Sequence, residues 1–158
     1  MNKFIITLVL GLFCSPAFAA MEDPAVPADM KMAGETQKAH MVNVLFDDIV
    51  WETEELPNGQ TFEMSILRSD EASGDTAMIV RAKAGTQVPK HWHTANEQII
   101  VIEGVLNIES EGHTVSLSKG GFHFLPSKVL HRAWANDNDD ILIFIAADAP
   151  WDINFVEE

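Results

Sequence analysis

Beyond about residue 41 the chain alternates short apolar runs with turn residues, and no stretch keeps a 3.6-residue apolar period for long. Runs rich in Val, Ile, Phe and Thr occupy 42–46, 61–67, 76–82, 97–102, 105–109, 113–117, 122–125, 131–135 and 141–146. Between them stand Pro57-Asn58-Gly59, Ser73-Gly74-Asp75, Ala84-Gly85, Glu111-Gly112, Gly120-Gly121 and Asn136-Asp137-Asn138-Asp139, residue types that supply tight turns. The stretch 149–155 reads as one more strand, able to cover an open sheet edge. Many short strands, with no helices to cover a parallel sheet, predict an all-β antiparallel sandwich or barrel over residues 42–158. The chain has no internal repeat and no low-complexity tract.

The first 41 residues break this pattern. Lys3, the apolar run Phe4 to Phe13, Ser15-Pro16 and Ala17-Phe18-Ala19 are the successive regions of a secretory signal peptide over 1–19, with cleavage before Ala20. A ten-residue apolar run is too short to span about 30 Å of hydrocarbon, so a membrane anchor is not expected once the leader is removed. Residues 20–41, with Pro24, Pro27, Gly34 and scattered charges, read as a flexible tether. The tether also offers Met21, Met30, Met32, His40 and Met41 as soft donors for copper(I), but their spacing is irregular and methionine is common in tethers, so copper binding is not expected. The expected location is periplasmic or secreted.

Composition then narrows the function. Cys14 is the single cysteine and would leave with the leader, so neither thiol chemistry nor a disulfide is expected in the mature chain. The formal charge is −14, and losing Lys3 would make it one unit more negative. Such an acidic excess repels phosphate backbones and anionic lipid, which argues against nucleic acid and membrane surfaces as partners.

The chemistry concentrates in His91-Trp92-His93-Thr94-Ala95-Asn96-Glu97. Alternate strand residues share a face, so His91 and His93 can converge while Trp92 points away. Thr94-Ala95-Asn96 lets the chain turn, and Glu97 can return a carboxylate beside the two imidazoles. Two imidazoles and a carboxylate on one side of a metal leave the other side open to water, oxygen or substrate. Nothing in the stretch places a nucleophile beside a base, and no catalytic residue is assigned. An H-x-H pair alone is a weak signal.

The surrounding frame makes it a strong one. Gly85, five residues, His91-Trp92-His93, three residues, Glu97, six residues and Gly104 together resemble the first motif of the cupin superfamily. Gly120, five residues, Pro126 and then His131 resemble the second, with two departures: Lys128 stands where glycine is usual, and Ala135 where asparagine is common, with Asn136 one place late. The resemblance spans about residues 60–148. It implies an antiparallel jelly-roll β-barrel whose metal ligands are His91, His93, Glu97 and His131, the last chosen by the motif alone, since His113 and His123 lie in the same region. His113, after a turn, is expected in solvent; His123, between Phe122 and Phe124, is a candidate pocket residue.

A cupin-like barrel implies one divalent transition metal (Fe, Mn, Ni, Cu or Zn) in its mouth and a small-molecule ligand or substrate, and cupins commonly form homodimers. Candidate pocket or core residues are Met64, Ile66, Met78, Val80, Ile99, Val101, Phe124 and Ile143, while Trp51, Trp134 and Trp151 offer apolar area for a subunit interface. Lys90, Lys128 and Arg132 lie near the ligands in sequence and could hold an anion, although such cations are usually just solvated. The expected function is a metal-dependent oxidoreductase resembling a dioxygenase. An isomerase or hydrolase, a metal-dependent ligand-binding module and a structural barrel are the alternatives, because one barrel hosts many chemistries.

Overall fold

The structure is a computed structural model that describes residues 41–156. The expected leader and nearly all of the tether fall on residues 1–40, outside the described residues. Eleven strands follow a short 3-10 turn at Phe46–Asp48: β1 (Glu52–Glu55), β2 (Thr61–Ser69), β3 (Thr76–Ala82), β4 (Gln87–Trp92), β5 (Glu97–Glu103), β6 (Val105–Ser110), β7 (His113–Ser118), β8 (Phe122–Leu125), β9 (His131–Ala135), β10 (Ile141–Ala147) and β11 (Asn154–Phe155). They form a six-stranded sheet in the order β1-β2-β3-β10-β5-β8 and a five-stranded sheet in the order β11-β4-β9-β6-β7. Every pairing is antiparallel. This is the jelly roll that the motifs imply.

Period-two alternation decides which residues are inside. In β5, Glu97, Ile99 and Val101 are buried while Gln98 and Ile100 are exposed. Ile99 and Val101 join Met64, Met78, Val80 and Ile143 in the core between the sheets, so six of the eight expected interior residues are interior. Ile66 and Phe124 are not, at 56% and 52% exposure. Ile66 sits where β2 shifts register against β3. Phe124 pairs with Gln98 on the outer face, so β8 turns its two phenylalanines out and shares the inner face of Ile99 through His123. As a result Ile79, Phe144, Ile100 and Phe122 form one apolar row across four strands of the outer face.

The expected strand at 42–46 is absent. Its residues are extended chain and the start of the 3-10 turn, because β1 takes the sheet edge instead. β1 reads Glu-Thr-Glu-Glu and carries no apolar signal; all four residues are exposed, as an edge strand allows. Gly104 closes the β5–β6 turn at φ +76°, and a Cβ there would lie 2.3 Å from the Asp140 carbonyl oxygen. Only glycine satisfies both conditions.

Lys128, the departure from the second motif, adopts φ 63°, the left-handed conformation that glycine favours. Its amide still donates to the His93 carbonyl at 2.8 Å, so the turn before His131 is kept at the cost of backbone strain. Lys128→Gly should therefore raise stability by up to about 1 kcal/mol, the strain relief being partly offset by the freer unfolded chain. Chemical denaturation checks it, and a loss of stability would show that the lysine side chain outweighs the strain.

Candidate metal centre

His91 lies near the end of β4, His93 just beyond it, Glu97 opens β5 and His131 opens β9. β4 and β9 pair directly, with His91 opposite His131. All four side chains are buried, with 2–5% exposure, whereas Trp92 is only partly so. The turn between β4 and β5 is held from several sides. The Asp148 carboxylate accepts from the Asn96 backbone N–H at 2.9 Å, and the Asp152 carboxylate accepts from the Thr94 N–H at 2.7 Å. Asn96 Oδ1 accepts from the Ser127 N–H at 2.8 Å, tying this turn to the one before His131.

The three rings close on one point. Their centroids are 4.1 Å apart for His91 and His131, 4.9 Å for His91 and His93, and 5.2 Å for His93 and His131. Each Nδ1 lies against a backbone carbonyl: Pro89 at 2.6 Å for His91, Asp152 at 2.5 Å for His93 and Val129 at 3.0 Å for His131. A carbonyl only accepts, so each Nδ1 carries a proton and each ring turns its Nε2 toward another partner. One nitrogen from each ring lies within 4.8 Å of the others, and the three could hold a metal ion.

Glu97 stands beside this cluster. Its Oε2 is 3.6 Å from His93 Nε2, and its Oε1 accepts from the Trp151 indole N–H at 2.5 Å. Neutral nitrogen donors with one carboxylate suit a divalent transition metal, and carbonyl partners on the far ring nitrogens are how metal-binding histidines are usually oriented. The residues present fit such an ion.

Burial shapes the protonation of the site. Loss of water pushes the His91 ring down to about 3, helped by the positive charge that His131 and His93 would carry. It pushes His131 down to about 4. Burial likewise raises the Glu97 carboxyl, against the opposing pull of His93 and the Trp151 hydrogen bond. His91 and His131 are thus held neutral, ready to coordinate.

The cluster opens into a cavity of about 90 Å³ between the sheets, walled by Val80, Ile99, Leu106, Ile143, Ile145 and Trp151 among others. The cations expected near the ligands are not among its lining residues. Lys90 and Arg132 border a separate outer groove, and Arg132 pairs with Glu109. His113 is exposed, as expected. His123 reaches the inner face and its charge would further depress His131, but it does not line the cavity. Trp151, expected at an interface, points inward instead, its ring 5.6 Å from that of His93. Trp51 lies beneath the Arg81 guanidinium at 4.0 Å. No spacing rule would have linked Trp151 to Glu97, 54 positions away.

An antiparallel jelly roll with a buried three-histidine cluster in its interior defines a cupin. Residues 40–149 match the ChrR cupin-like domain family, and the chain belongs to that family. It is 37% identical over 86 residues to DNA damage-repair/toleration protein DRT102 of Arabidopsis thaliana, a match covering 52% of this chain and 26% of that protein. The chain thus spans about a quarter of that relative's length. Among solved structures it is similar to the polyketide cyclase RemF from Streptomyces resistomycificus, with TM-score 0.65 and 18% identity over 75% of this chain and 87% of that one. It is also similar to KdgF from Halomonas sp., with TM-score 0.53 and 24% identity over 66% and 92%. A third is a cupin 2 conserved barrel domain protein from Rhodopseudomonas palustris, with TM-score 0.60 and 13% identity over 69% and 78%. At these identities the likeness is one of fold.

Proposed function

We propose that this chain is a metal-dependent cupin acting on a small molecule, with His91, His93, His131 and Glu97 as its ligands and oxygen-dependent oxidation as its chemistry. The observation that carries the reading is the convergence of three imidazoles, each fixed through Nδ1, at the wall of an apolar cavity. When bound, a divalent transition metal supplies Lewis acidity and, if redox-active, one-electron chemistry towards oxygen. The chain's own part is to hold the donors in place and to keep bulk water away with the side chains of Val80, Ile99, Ile143 and Ile145.

Cavity volume bounds the substrate. About 90 Å³ is far below the 300 Å³ or more of drug-sized pockets. The part of the substrate that we propose enters between the sheets therefore has only a handful of non-hydrogen atoms. The same small volume favours the alternative of a barrel whose metal serves the fold or captures a ligand without turnover.

Loading the apo-protein separately with iron(II), manganese, nickel, copper and zinc, then following small candidate substrates for oxygen uptake and product by mass spectrometry, separates these readings. Oxygen-coupled product with a redox-active metal supports the dioxygenase-like reading. Conversion without oxygen points to an isomerase or hydrolase. Binding that returns every compound unchanged, whatever the metal, removes the enzyme.

A further inference from the structure

The chain after β10 crosses back over the mouth of the cluster, and its contacts there are specific. Trp151 donates its indole N–H to Glu97 Oε1 at 2.5 Å and lines the cavity with Ile153. The next residue accepts from His93 Nδ1 at 2.5 Å through its backbone carbonyl, while its carboxylate accepts from Thr94 N–H and Oγ1–H at 2.7 and 2.6 Å and from Asn154 Nδ2 at 2.9 Å. Two residues of β11 then pair with the outer edge of β4, setting Phe155 opposite His91 with their rings 5.8 Å apart. Three of the four candidate ligands are thus touched by one segment that adds only a two-residue strand to the sheet.

The Glu97 contact matters most. A carboxylate has two equivalent oxygens, and an indole N–H can only donate. With Oε1 taken by Trp151, Oε2 is the oxygen left facing the imidazoles, 3.6 Å from His93 Nε2. A buried carboxylate without that donor would be free to rotate and would hold its negative charge less readily.

We propose that Trp151–Phe155 is a strap in which Trp151 is the positioning residue for Glu97, holding one carboxylate oxygen so that only the other can serve as a ligand. This rests on the metal reading above for its consequence, but the contact itself can be tested without metal.

In ¹⁵N-labelled apo-protein, the Trp151 Nε1–H resonance, assigned by its loss in Trp151→Phe, should lie downfield of the other indoles and exchange slowly with solvent. Glu97→Ala should return it upfield, and this comparison needs no Trp151 variant to fold beyond the assignment. A Trp151 indole that exchanges freely, or that ignores Glu97→Ala, overturns the proposal.

The second arm measures zinc affinity by competition with a chelator. Trp151→Phe should weaken binding roughly 10–100-fold, the usual range for a residue that orients a ligand. In a Glu97→Ala background the same change should add less than about twofold, because a residue acting through the Glu97 carboxylate has nothing left to position. An equal loss in both backgrounds means that Trp151 serves packing alone, and the proposal fails. If the wild type takes up no zinc or other divalent metal, the metal reading falls by itself, and the indole resonance still decides whether the strap holds Glu97.

Discussion

His91→Ala should abolish high-affinity metal uptake. Elemental analysis of wild-type protein dialysed against a divalent metal should give close to one ion per chain, and the variant should lose most of it. Removing a single orienting partner of a ligand already costs roughly 10–100-fold in affinity, so deleting a ligand should cost more than about 100-fold. The same loss has a readout in stability. An ion present at about 100 times its dissociation constant adds about 2.7 kcal/mol to a fold that binds it only when folded, which for a domain of this size raises Tm by roughly 10 °C. Metal should produce that rise in the wild type and none in His91→Ala, whatever the variant's own Tm. That last condition matters, because the substitution also leaves the Pro89 carbonyl without its partner and opens a void in the wall. Full metal content in a His91→Ala/His93→Ala double variant would remove the candidate centre.

Acid should destabilise the metal-free protein well before ordinary carboxylates titrate. His91 and His131 are held near 3 and 4 by burial, while in the unfolded chain they return to about 6.5. Between those values the unfolded state binds more protons than the native one, so stability falls as pH drops. Each ring contributes about 1.4 kcal/mol per pH unit below about 6.5, down to about 4 for His131 and about 3 for His91. By pH 5 the two together cost about 4 kcal/mol, a large part of the 5–15 kcal/mol typical of a domain. Glu97 acts in the opposite sense. Its raised native pKa makes the protonated form stabilising, a contribution present at low pH and lost as pH rises from the unfolded value through the native one. Denaturant melts of apo-protein from pH 7 to pH 4 check the sum, and replacing His91 and His131 with phenylalanine should flatten the profile. A wild-type stability unchanged between pH 7 and pH 5 would contradict the burial argument. The expectation from ordinary imidazoles is that metal binding weakens near pH 6. In the folded protein burial lowers the pH at which protons compete for His131 to near 4, and for His91 lower still.

Alternation and turn residues act locally, so the class of fold is legible along the chain: β3, β8 and β9 fall at the boundaries their apolar runs predict. The sequence also brought His91, His93 and Glu97 together, since strand parity and a three-residue turn are short-range rules. Where burial depended on which strand lay opposite, local pattern failed. β1 forms from a charged stretch because an edge was available, the 42–46 run pairs with no strand, and β8 turns Phe122 and Phe124 outward because its register against β5 puts His123 opposite Ile99. The sequence supplied His131 only through a family motif, and its place opposite His91 comes from the β4–β9 pairing. Trp151 and its neighbours lay beyond any motif. Their part in the site is a contact made across 54 positions, and only the packing of the C-terminal segment over the barrel mouth brings that indole to the Glu97 carboxylate.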